Sequence, residues 1–103
     1  MTHELYLLQA DFCKAIAHPT RIQILHLLRG GEKCVCEIFP ALQVEQPNVS
    51  RHLSVLKKEG IVSSRKEGLK MIYKVNDERV FQLLDLITDL LKQQWNSRTK
   101  ILL

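Results

Sequence analysis

From Glu4 to Ala17 the apolar residues Leu5, Leu8, Phe12, Ala15 and Ile16 recur at helical spacing, which predicts a first amphipathic helix. His18-Pro19 interrupts it, because the residue before a proline is pushed out of the helical region and proline suits a first helical turn. A second helix follows, with Ile22, Leu25 and Leu28 on one stripe and Ile24 and Leu27 widening it, and Gly30-Gly31 ends it. Cys34 to Leu42 reads as a short helix with Val35, Ile38, Phe39 and Leu42 inward. Pro40 is awkward in its interior and marks a shortened or bent piece. After a turn at Gln43-Val44-Glu45, Pro47 opens a helix that runs to Lys58 and stops at Gly60. Ile61–Lys66 and Lys70–Val75 are β-type runs around Glu67-Gly68-Leu69, the pattern of a hairpin. A long last helix starts near Asn76 or Asp77, either of which can cap it, and continues to about Trp95.

The predicted fold class is therefore mainly α with a small β-hairpin wing, in the order α-α-α-α-β-β-α. A helix-turn-helix followed directly by a two-stranded wing is the layout of a winged-helix DNA-binding domain. With 103 residues, the expectation is a single domain over residues 1–103. No apolar run is long enough to span a bilayer. The first residues, MTHELYLLQADFCK, are acidic and amphipathic, unlike a secretory leader. Three cysteines, Cys13, Cys34 and Cys36, cannot all pair within one chain, so free thiols in a reducing, cytoplasmic setting are expected.

Charge sharpens the picture. The chain carries a net charge of +4, but between Asn48 and Lys74 seven basic residues stand against two acidic ones, a local +5. A block of this kind suits a phosphate-binding surface. On a helix at about 100° per residue, Val49, Leu53 and Leu56 share one sector, while Pro47, Ser50, Arg51, Ser54 and Lys58 fall opposite. Small hydroxyls allow close approach to the major groove, and an arginine can bond guanine in bidentate fashion. Gln46 and Asn48, at the helix start, carry amides able to reach bases or phosphates. His52 lies beside the apolar stripe, where a local hydrogen bond and a DNA contact are equally open readings. In the hairpin, Arg65, Lys66, Lys70 and Lys74 suit phosphates, which position a protein without specifying sequence.

The last helix carries two adjacent apolar stripes, Val80-Leu84-Ile87-Leu91 and Leu83-Leu86-Leu90, more than one side of a small domain needs. The first stripe, with Leu5 and Leu8 of the first helix, is the expected seam of a homodimer, whose two reading helices would meet an inverted repeat of double-stranded DNA. No membrane partner is implied. The C-x-C of Glu32-Lys33-Cys34-Val35-Cys36-Glu37 stands at a charged helix start, a setting that favours thiolate and hence soft-ion or redox chemistry. Helical residues two apart point about 200° from each other. The expectation is thus that Cys34 and Cys36 diverge, and that a guest binding both must distort the turn before the reading helix. Cys13 reads first as a core filler. A catalytic role is not expected: there is no C-x-x-C beside a βαβ pattern, and His3, His18, His26 and His52 lack ligand-like spacing.

With these residues in view, the chain resembles the ArsR/SmtB family of winged-helix repressors over about Phe12 to Leu91. KAIAHPTRIQILHLL is similar to the family's second-helix signature, EKCVCEIFPAL to its E-L-C-V-C-D-L-C thiol box, QPNVSRHLSVLKKEGIV to its reading helix, and RKEGLKMIYKV to its wing. The resemblance implies a repressor that leaves its operator when a metal or metalloid binds, with no resident cofactor. Cys34 and Cys36 match the box thiols, which implies arsenite or antimonite, or alternatively cadmium or lead, as inducer. Oxidation or persulfidation of the same thiols is a further alternative. Phe39 stands where the arsenite box has a third cysteine. At the zinc-type site of the last helix only Asp77 matches, with Arg79, Leu90 and Gln93 at the other positions, so zinc is not expected there. Cys13 is the candidate third thiol for a trigonal sulfur set. A helix of about 12 residues is about 18 Å long, however, so Cys13 of the same chain is not expected to reach the pair. A partner chain or a small external thiol would have to supply the third sulfur.

Overall fold

In a computed structural model, residues 2–98 are described, with side chains to Trp95. The chain runs α1 (His3–Ile16), α2 (Pro19–Leu28), β1 (Lys33–Cys34), α3 (Val35–Leu42), α4 (Gln46–Lys58), β2 (Val62–Glu67), β3 (Lys70–Val75) and α5 (Arg79–Arg98). Each boundary has a local cause. The Thr2 hydroxyl accepts from the Leu5 N–H at the start of α1, and His18 Nδ1 accepts from the Thr20 N–H beside Pro19 at the start of α2. Cys34 caps α3: its sulfur accepts from the Cys36 N–H at 3.0 Å, while the Glu37 carboxylate accepts from the Cys34 N–H at 2.9 Å. This is a capping box with sulfur in place of the usual hydroxyl. Gln43, in the left-handed region at φ 56°, ends α3 three residues after Pro40. Pro40 thus sits inside an eight-residue helix, where its missing N–H leaves the Cys36 carbonyl without the usual helical partner.

The hairpin pairs Val62 with Val75 through Glu67 with Lys70, leaving Gly68-Leu69 as a two-residue loop with Gly68 at φ 63°. A glycine at the first loop position is what the type II′ turn requires. The sheet has a third strand that the period-2 pattern does not reveal. Lys33 and Cys34 pair antiparallel with Tyr73 and Ile72, giving the order β1-β3-β2. This corrects the expected helical start at Cys34, because the residue is extended and hydrogen-bonded into the wing.

The core joins these elements. Ile24, Leu25, Ile38, Val49, Leu53, Leu56, Ile61 and Val62 are almost fully buried, and each such side chain contributes about 1.5–3 kcal/mol by leaving water. Val80 and Leu84 of α5 complete this core at 6% and 4% exposure. They were expected at a dimer seam together with Ile87 and Leu91, which are exposed. The stripe divides along its length for a geometric reason: a 20-residue helix is about 30 Å long and outruns the body it packs against. Its first turns cover the chain's own core, and the later ones project beyond it. Arg29 fixes the docking, placing its guanidinium 5.0 Å over the Phe81 ring and 2.9 Å from the Asp85 carboxylate. No helix among the described residues is long and apolar enough to cross a membrane.

Candidate nucleic-acid interface and thiol site

The face of α4 opposite its core stripe presents Gln46, Pro47, Asn48, Arg51, Ser54 and Lys58 to solvent, with Ser50 half-buried. The Ser54 hydroxyl is turned back onto the Ser50 carbonyl at 3.0 Å, whereas Gln46, Asn48, Arg51 and Lys58 are exposed on this face. In the wing, Lys66 and Lys70 are exposed at the hairpin end. Lys57 spans from α4 to β2, donating to the Ser64 hydroxyl at 2.7 Å, and so helps to set the angle between helix and wing.

Two of the expected DNA-contacting side chains are engaged inside the chain. Arg65 is held by Glu32 at 2.7 Å and by Glu67 at 2.9 Å. This hydrogen bonding holds the Glu32 carboxyl below its ordinary range. His52 lies half-buried with Nδ1 3.1 Å from the Arg21 guanidinium and its ring 4.3 Å from that of His18. The local bond that the sequence allowed is thus present. Arg21 also donates to the Ala15 carbonyl at 2.6 Å and to the Lys14 carbonyl, so one guanidinium ties the end of α1 to α2 and α4. Neither Arg21 nor Glu32 stood out in the sequence, since each acts through a partner more than 30 positions away.

Burial first, and then the charges of His18, Arg21 and Arg51, hold the His52 imidazole below its ordinary value of 6.5. A depressed folded value means that protonation favours the unfolded chain. The contribution is complete above about pH 6.5 and is lost as the pH falls through the depressed value. We expect the melting temperature to drop between about pH 7.5 and pH 5 by more in the wild type than in His52→Gln. Equal drops in the two proteins would remove His52 as an acid-sensitive contact.

At the thiol box the expected divergence is overturned. Cys34 and Cys36 meet and form a disulfide, with Cα atoms 5.0 Å apart. The reason is the strand at Cys34: helical divergence applies only when both residues are helical, and here the first is an extended cap. Cys34 is buried and Cys36 exposed. Both line a cleft of about 300 Å³ shared with Gln46 and Ser50 of α4 and with Lys70 and Tyr73 of the wing. The thiol pair therefore lies in the concavity between reading helix and wing. Cys13, expected as a core filler, is exposed on α1 beside Leu8, Gln9 and Phe12. No group of three or more His, Cys, Asp or Glu side chains able to hold a metal occurs among the described residues. Asp77 is already occupied. Arg79 lies 2.7 Å from its carboxylate and donates its backbone N–H at 2.9 Å, which lowers the Asp77 pKa to about 2.

The arsR family of bacterial regulatory proteins matches residues 18–64, from the cap of α2 through the reading helix into the wing. An HTH-type transcriptional regulator of Methanocaldococcus jannaschii is 44% identical over 84% of this chain and 99% of its own. This chain belongs to the ArsR family. Two further relatives carry functional names: a probable mercury resistance operon repressor of Streptomyces lividans (42% identical, covering 75% of this chain and 62% of its own) and an arsenical resistance operon repressor of Staphylococcus xylosus (38%, covering 72% and 74%). Among solved structures, the Mycobacterium tuberculosis protein Rv0081 superposes with a TM-score of 0.84 at 35% identity, covering 94% of this chain and 98% of that one. A homodimeric winged helix-turn-helix DNA-binding domain from Mycobacterium bovis superposes at 0.79 with 33% identity, covering 89% and 88%. As an ArsR-family regulator, the chain is a DNA-binding protein rather than a catalyst.

The remaining apolar surface is concentrated on the terminal helices. Tyr6, Leu7 and Leu8 of α1 and Leu83, Leu86, Ile87, Leu90 and Leu91 of α5 are exposed, whereas Leu5 is half-buried.

Proposed function

We propose that the chain is a homodimeric repressor that grips an inverted repeat with α4 and the wing, and leaves it when trivalent arsenic or antimony is held by Cys34 and Cys36. The observation that carries this reading is that the Cys34 and Cys36 sulfurs, joined here as a disulfide, lie together in the cleft between α4 and the wing, so that reduction leaves two adjacent thiols there. The names of the Staphylococcus xylosus and Streptomyces lividans relatives support a soft thiophilic inducer. In the reduced chain, each thiol would displace one hydroxyl of arsenous acid as water and form an As–S bond. Cadmium and lead are the alternative guests of the same soft pair.

The coupling to DNA has a physical path. Cys34 is paired with Ile72 of the wing, and Glu32, two residues earlier, holds Arg65. Cys36 lies in the first turn of α3, which leads through Gln43–Glu45 into α4. A guest that pulls on the box acts on both halves of the DNA grip. The disulfide favours a second reading, in which oxidation of the same pair is the signal. Titrating arsenite, cadmium, lead and peroxide against the reduced protein–operator complex separates them. Release by arsenite alone supports the first reading, and release by peroxide alone replaces it with the second.

Two further outcomes check the DNA face. Operator affinity should fall linearly on a log–log plot against salt, because each phosphate contact releases counterions. A flat dependence would mean that the basic block is a mere solvated surface. Arg51→Ala should cost about 1–3 kcal/mol of specific binding, the value of a bidentate base contact, while sedimentation shows the dimer intact. An unchanged operator affinity would take Arg51 off the reading face.

A further inference from the structure

Trivalent arsenic is satisfied by three sulfurs, and the described residues gather only two. Cys13 belongs to a different surface, against Leu8, Gln9 and Phe12 of its own helix. The cleft that holds the pair is not closed over it. About 300 Å³ of space continues from Cys34 and Cys36 along Gln46, Ser50, Lys70 and Tyr73. That volume exceeds what a single ion fills, and its polar lining has a definite character. Lys70 supplies a full positive charge, while Gln46 and Ser50 add an amide and a hydroxyl, groups that recognise a carboxylate. Lys70 is exposed on the wing, and among the described residues no side-chain hydrogen bond or ion pair ties it elsewhere, in contrast to Arg65.

We infer that the cleft is a co-ligand site: the third sulfur on the metalloid comes from a small carboxylate-bearing thiol seated between α4 and the wing, with its carboxylate on Lys70. This inference rests on the arsenite reading above. Its chemistry balances in two steps. Two molecules of the small thiol reduce the Cys34–Cys36 disulfide by exchange, leaving two protein thiols and one small-molecule disulfide. Arsenous acid then loses its three hydroxyls as three waters, the protons coming from Cys34, Cys36 and one further small thiol, and three As–S bonds form. Arsenic stays trivalent throughout. The filled cleft lies between the two parts proposed above to grip DNA, α4 and the wing, so the co-ligand would add direct obstruction to any distortion of the box.

The test uses the full chain, reduced with a phosphine that carries no thiol and mixed with arsenite. Arsenic X-ray absorption and native mass spectrometry are then read with no addition, with 2-mercaptoethanol or with 3-mercaptopropionate. Phosphine alone should give two As–S bonds and one As–O bond. Adding 3-mercaptopropionate should convert the oxygen to a third sulfur, with one small thiol retained per chain. Its half-saturating concentration should be roughly fivefold below that of neutral 2-mercaptoethanol, the upper range for an exposed ion pair, and the gap should close in Lys70→Gln. Three As–S bonds without any added thiol would overturn the inference, since the protein would then supply the third sulfur. Equal half-saturation by the two thiols in the wild type would overturn the carboxylate site. Absence of arsenic from the reduced wild type would instead sink the arsenite reading itself, a separable result.

Discussion

Cys34→Ser should stay on its operator at arsenite concentrations that release the wild type. The substitution separates two jobs of one sulfur. As the cap of α3, the Cys34 side chain accepts the Cys36 N–H, and serine is among the best residues at that position, so the fold should be kept. As a ligand, the sulfur is lost, and Cys36 alone must hold the metalloid without the chelate. Losing the second, tethered contact should raise the arsenite concentration for half-release by roughly 100-fold or more. Anisotropy of a labelled operator, read after reduction, measures the shift, and the far-UV melting curve confirms that α3 is intact. Cys36→Ser should behave alike, because its sulfur shares the cleft and serves no cap. Release of Cys34→Ser at the wild-type concentration would mean that the box is only structural.

Leu86→Glu combined with Leu90→Glu should convert the dimer to monomers and nearly abolish operator binding. These two leucines are 57% and 54% exposed on the part of α5 that projects past the chain's own core. Charging them therefore costs the monomer little, since no internal packing is lost. In a dimer the same carboxylates would be buried against apolar partners with no compensating charge, which is prohibitive. Operator affinity should then fall by about 100- to 10,000-fold, because the two reading helices no longer act as one tethered pair. Sedimentation velocity and a circular-dichroism melt together decide the point. A dimer that survives both charges would move the association surface away from α5. Val80 and Leu84 provide the contrast, as polar substitutions there should unfold the chain rather than dissociate it.

Where local chemistry dominated, the linear pattern was a sound guide. His18-Pro19, Gly30-Gly31, Pro47, Gly60 and Gly68 punctuate the chain at the places where the elements change, because each acts through its own backbone preference. The buried face of α4 could likewise be read from Val49, Leu53 and Leu56, since a regular helix needs no outside information to sort its faces. The two-residue strand at Lys33–Cys34 could not, because it has too few positions for any periodicity and exists only by pairing with β3.

The order of residues alone determined the winged-helix plan, the basic block, the spacing of the C-x-C and the surplus of apolar positions on α5. Folding in three dimensions decided which of those features became neighbours. It turned Cys34 into an extended cap whose sulfur meets that of Cys36, committed Arg65 to Glu32 and His52 to Arg21, and divided the α5 stripe between the core and the outer surface. The division has one cause. Backbone preference acts over a few consecutive residues, whereas a strand pairing, an ion pair or a packed helix end depends on segments tens of positions apart that only the assembled core brings together.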